Sequence, residues 1–106
     1  MAEIQEVVLA LTTEADAQRA ERLAQALLDR HLVACVNLVP IRSLYRWNGE
    51  QQLDAEVQLL LKTTVSRLQA LQGAVLELHS YETPEWVTWP VQASAAYGQW
   101  VKAELC

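Results

Sequence analysis

Leu44-Tyr45-Arg46-Trp47-Asn48-Gly49-Glu50-Gln51-Gln52-Leu53-Asp54-Ala55-Glu56-Val57-Gln58-Leu59-Leu60-Leu61-Lys62 is the stretch on which the fold turns. Asn48-Gly49 is a two-residue hairpin signal, because both central positions of a type I′ turn need positive φ and these residues tolerate it. After the turn, Leu53, Ala55, Val57, Leu59 and Leu61 alternate with Asp54, Glu56, Gln58, Leu60 and Lys62. That period of two marks a strand with one face toward a core. Before the turn, Ala34 to Trp47 reads as the partner strand. A bulge, bend or break is expected at Pro40, which has no N–H to give to a ladder. The antiparallel hairpin is longer than a chain of 106 residues covers by itself, and its distal part carries Tyr45 and Trp47. Large aromatics on a projecting hairpin point to a partner surface.

Working outward, Val7-Val8-Leu9-Ala10-Leu11 within Ile4 to Leu11 has the apolar continuity of a central strand buried on both faces. Thr12-Thr13, Glu14 and Asp16 read as a helix start, a hydroxyl cap with acids in the first turn. An amphipathic helix is predicted over residues 14–31, with Ala17, Ala20, Ala24, Leu27 and His31 on its apolar stripe and Arg30 and His31 at its negative end. Thr63-Thr64 and Ser66 offer caps for a second helix whose buried stripe is Leu68, Leu71, Val75 and Leu78. His79 to Pro84 is polar and turn-like, and Glu85 to Val91 reads as a fourth strand. Ser94 caps a last short helix with Tyr97, Trp100, Val101 and Leu105 on one face. The order β-α-β-β-α-β plus a C-terminal helix is an α+β, ferredoxin-like sandwich, a single domain over residues 1–106. Both main helices belong on one face of the antiparallel sheet, so the other face needs a cover, and oligomerisation supplies one.

Composition narrows the classes of partner. Lys+Arg number 8 against 13 Asp+Glu, a formal net charge of −5 with no basic run, which argues against nucleic-acid and anionic-membrane binding. No apolar stretch approaches the length of a membrane span. The acidic beginning, Met1-Ala2-Glu3-Ile4-Gln5-Glu6, is unlike a secretory signal, so a cytoplasmic location is expected. Cys35 and Cys106 form no Cys-x-x-Cys pair. Cys35 is expected to be a buried free thiol and Cys106 a frayed terminus.

Three segments carry a more specific likeness. Ala34-Cys35-Val36-Asn37-Leu38-Val39-Pro40 followed by Ser43-Leu44-Tyr45-Arg46-Trp47-Asn48-Gly49 resembles the hairpin strand of the CutA family. Glu56 and Lys62-Thr63-Thr64 are similar to the family's returning strand and its exit. His79-Ser80-Tyr81-Glu82-Thr83-Pro84-Glu85 resembles its His-x-Tyr-x-x-Pro-Glu segment. The resemblance runs in order through nearly the whole chain. It implies a tight, heat-stable homotrimer with a long hairpin between its second and third strands. It also implies an architecture like that of the PII signalling proteins, which bind small effectors between subunits, and a link to tolerance of divalent cations, copper above all.

Two sets of residues are candidates for a site. His79 and Glu85 pair imidazole nitrogen with carboxylate oxygen, a donor set suited to copper or zinc. Family sites proposed elsewhere use a cysteine near the end of the first strand, and Leu9-Ala10-Leu11-Thr12-Thr13 has none. Two ligands from one chain make an incomplete site, and the alternative is that His79 and Glu85 brace the turn around Pro84. The second set is Tyr45, Trp47, Glu56, Lys62 and Tyr81, whose aromatic walls with one acid and one base suit a small polar ligand in a cleft between subunits. Its alternative is that Glu56 and Lys62 lie on the same strand face and make an interfacial ion pair. Trp86, Trp89 and Trp100 read as packing residues. No Ser-His-Asp signature, phosphate loop or dinucleotide fingerprint is present, so the expectation is a binding protein that is not an enzyme and requires no cofactor.

Overall fold

The computed structural model describes residues 4–105. Its elements in chain order are β1 (Gln5–Glu14), α1 (Ala17–Asp29), β2 (Cys35–Trp47), β3 (Glu50–Thr63), α2 (Val65–Leu78), β4 (Val87–Ala93) and α3 (Ala95–Glu104). The four strands form one antiparallel sheet in the order β2-β3-β1-β4, with the apolar first strand in the middle. This is the expected α+β, ferredoxin-like order with a long β2-β3 hairpin. Asn48 and Gly49 turn that hairpin with φ of 51° and 79°.

Alternation assigns the two sheet faces. Ala10, Val57, Leu59 and Leu61 point to one face, where Ala20, Leu23 and Leu27 of α1 and Leu71, Ala74 and Val75 of α2 close over them. Val7 points the other way and is covered by Val101 of α3 and by Leu105, just past its end. Gly98 permits that close approach, because a Cβ there would run into the side chain of Gln5. Beyond α3, the second face stays open along the hairpin, which helps stretch the chain to 53 × 24 × 21 Å.

Several local expectations are corrected. The strand does not stop at Leu11: Thr12, Thr13 and Glu14 continue the ladder against Leu59, Gln58 and Val57. The cap of α1 is Asp16, whose side chain accepts from the Arg19 N–H. His31 lies beyond the helix with φ of 56°, exposed rather than on the buried stripe. Pro40 causes no break, and β2 passes through it in unshifted register opposite Val57. The reason is position: β2 is an edge strand, and a proline that turns its missing N–H outward costs the ladder nothing. In α2 the stripe is Leu71, Ala74 and Val75, while Leu78 is exposed. Trp86 packs on the core, but Trp89 and Trp100 are exposed within the chain. The expectation for Cys106 lies outside the described residues.

Candidate functional site

Where β1 ends and α2 hands over to β4, a buried polar knot forms. Alternation carries Glu14 onto the helix-covered face, where it is 2% exposed. Its carboxylate accepts from the Ser80 N–H at 3.0 Å, the Ser80 hydroxyl at 2.5 Å and the Ala15 N–H at 3.0 Å. Burial opposes its ionisation, but the Ser80 and Ala15 hydrogen bonds outweigh it and hold the carboxyl below its ordinary range.

His79 completes the knot. Its Nε2 lies 2.6 Å from the Thr13 carbonyl oxygen, which can only accept, so Nε2 carries the proton. Nδ1 then accepts the Tyr81 N–H at 3.0 Å and lies 3.5 Å from Glu14. The ring is wholly enclosed and packs against that of Tyr81, centroids 4.9 Å apart. The segment after α2 is thereby tied to the end of β1 at two consecutive residues, His79 and Ser80, and Tyr81 is held to His79.

That tie aims Tyr81 across the open sheet face. Its hydroxyl donates to Glu56 Oε2 at 2.6 Å. Between the segment and the hairpin lies a cavity of about 680 Å³, whose lining includes Tyr45, Trp47, Glu56, Tyr81, Glu82 and Glu85. Tyr45 is held from the other side, its hydroxyl donating to Asp54 at 2.5 Å. Burial and then the Glu56 hydrogen bond raise the Tyr81 phenol above its usual range. The hydrogen bond to Asp54 and then desolvation do the same for Tyr45. Both phenols therefore stay protonated as donors to carboxylates.

Four of the five expected cleft residues, Tyr45, Trp47, Glu56 and Tyr81, thus meet at one cavity. Lys62 does not join them. It shares the strand face of Glu56, but six residues of strand put about 20 Å between them. Its ammonium instead bonds Asn37 and approaches Cys35 Sγ at 3.7 Å, so the alternative Glu56–Lys62 ion pair is excluded within the chain as well. Cys35 is a free, half-buried thiol.

The proposed metal pair is divided. Glu85 lines the cavity, whereas both ring nitrogens of His79 are engaged with backbone in an enclosed pocket. Among the described residues no three of His, Cys, Asp or Glu gather as a metal site. Among the described residues of one chain these donors do not gather as a closed metal centre, and His79 ties the segment to the Thr13 carbonyl rather than joining Glu85 around Pro84. Sequence reasoning missed Glu14 and Ser80. The available signal was Val8-Ala10-Thr12-Glu14, an alternation that runs straight through the supposed helix start.

Comparison with known proteins agrees with the fold. Residues 8–104 match the family model described as CutA1 divalent ion tolerance protein. The divalent-cation tolerance protein CutA of Pectobacterium atrosepticum is 41% identical over 102 residues, covering 94% of this chain and 93% of that protein. The structure of CutA from Synechococcus elongatus superposes with a TM-score of 0.93 at 37% identity, covering 100% of this chain and 95% of that one. The Nostoc protein described as PII-like CutA gives 0.88 at 38% identity, with 93% and 97% covered. An Archaeoglobus fulgidus relative described as periplasmic gives 0.91 at 28% identity, with 94% and 99% covered. Among the described residues no helix is long and apolar enough to cross a membrane.

Proposed function

This chain belongs to the CutA1 divalent ion tolerance family, and on that premise we propose that it is a cytoplasmic homotrimer that binds a small polar effector in the cavity beside its hairpin. The observation that carries this reading is the cavity itself. At about 680 Å³ it falls within the usual range for small-molecule sites, and aromatic rings and carboxylates converge on it. The neighbouring knot of Glu14, His79 and Ser80 fixes one wall, the kind of support that holds a binding site ready. The role is binding rather than turnover.

Assembly follows from what the single chain leaves bare. Leu44 is 74% exposed, and Leu53, Trp47, Val87 and Trp89 are also open to solvent. Apolar surface on this scale is rarely left bare by a stable soluble protein. Further copies of the chain are the cover this reading assigns, and they close the cavity from its open side. Light scattering should then give three times the 11.9 kDa chain mass. A monomer at micromolar concentration would sink the trimer. Thermal-shift screening of small polar compounds should find one whose stabilisation is lost in Trp47→Ala, and a thorough screen without such a compound would count against the cavity.

A second reading takes its support from the relatives' description as divalent-cation tolerance proteins and from Glu56, Glu82 and Glu85 among the residues that line the cavity. Copper or zinc would bind there weakly to moderately, through carboxylate oxygens completed by water. Glu85→Gln should weaken zinc binding in calorimetry, and unchanged binding would dismiss this reading.

A further inference from the structure

The cavity's lining has one sign of charge. Glu56, Glu82 and Glu85 contribute carboxylates, and among the described residues no Lys, Arg or His lines it. The one base expected there, Lys62, is turned to Asn37 and Cys35 farther along the sheet. Resting on the cavity reading above, we propose that the ligand is an organic cation, an amine or guanidinium compound of a few carbons.

Three features converge on this class. The first is the aromatic wall of Tyr45, Trp47 and Tyr81. Aromatic faces attract cations through the ring quadrupole, Trp most strongly. The second is what the phenols do. Tyr45 donates to Asp54 and Tyr81 to Glu56, so neither hydroxyl is free to donate to an anionic ligand. Among the described residues Tyr81 is the only hydrogen-bond partner of Glu56, through Oε2, which leaves Oε1 to accept from an ammonium or guanidinium. The third is the chain's net charge of −5, which draws cations toward the molecule.

The geometry also separates an organic cation from a metal ion. A metal needs several donors within bonding distance of one point, and the described residues hold no such cluster. An alkylammonium or guanidinium spreads its charge over a ring face and separate carboxylates, which matches a roomy cavity with dispersed acids. Among the described residues of the chain, a phosphate or carboxylate ligand would meet three carboxylates and no counter-charge.

Isothermal titration of the full chain with agmatine and choline as cations, and AMP and citrate as anions, tests the proposal. Agmatine should bind saturably, choline more weakly, and the anions not at all. Trp47→Ala and Glu56→Gln should each weaken agmatine at least tenfold, with Trp47→Phe recovering part of the loss. Gln at position 56 still accepts the Tyr81 hydroxyl, so circular dichroism and assembly mass should match wild type. If AMP or citrate binds in a Trp47-dependent way while the cations do not, the cation assignment is overturned and the cavity reading stands. Binding of none of the four overturns the cation assignment and counts against the cavity as well. Agmatine binding unchanged in both Trp47→Ala and Glu56→Gln places the cation elsewhere and also overturns the proposal.

Discussion

Replacing Glu14 by Gln tests how the fold holds its candidate site. The change keeps the side chain's shape but removes its charge and turns one acceptor oxygen into a donor. Three donors converge on this carboxylate: the Ser80 N–H, the Ser80 hydroxyl and the Ala15 N–H. An amide oxygen can still serve the two that share Oε1, now as weaker neutral bonds. The Ser80 N–H then faces an NH₂ group in a buried setting. Hydrogen bonds to charged groups contribute about 1.5–3 kcal/mol, neutral ones about 1, and a stranded buried donor costs about 1–3. With the Ser80 segment free to relax, the loss should be about 2–4 kcal/mol at pH 7. Guanidinium unfolding at one fixed protein concentration measures it, since an oligomer's apparent stability depends on concentration. The pH dependence gives an independent check. The folded carboxyl sits below its ordinary value, so its contribution is present above the unfolded glutamate pKa of about 4.3 and fades as pH falls through the lower folded value. The gap between wild type and Glu14→Gln should therefore narrow toward about pH 3. A variant within about 0.5 kcal/mol of wild type at pH 7, or a gap that stays constant with pH, would refute the reasoning.

Two further substitutions test the scaffold. Gly98→Ala places a Cβ against Gln5, and overpacking of about 1–3 kcal/mol should exceed the gain of about 1 in helix propensity; a variant more stable than wild type would mean that α3 does not lie so close to β1. Gly49→Ala meets no atom within 4 Å, so its cost of about 1 kcal/mol should come from the left-handed backbone alone; an unchanged denaturation midpoint would mean the turn adopts another form.

Local pattern in the sequence was enough for the elements and their order. Alternation from Leu53 to Leu61 defines a strand wherever it lies, Asn48-Gly49 tolerates the backbone a tight hairpin needs, and an unbroken apolar strand belongs in the middle of a sheet. The pattern around Tyr45, Trp47 and His79 was also enough for the family. Tertiary structure decided what depends on distance and on neighbours. Glu56 and Lys62 share a face by parity, but the extended backbone holds them apart, while Tyr81 reaches Glu56 across 25 positions of sequence. Pro40 passes because the topology makes β2 an edge. Periodicity reports which way a side chain points. Whether His79 faces a metal or the Thr13 carbonyl depends on what the rest of the chain packs against it, and that is settled only when α2 and β1 meet.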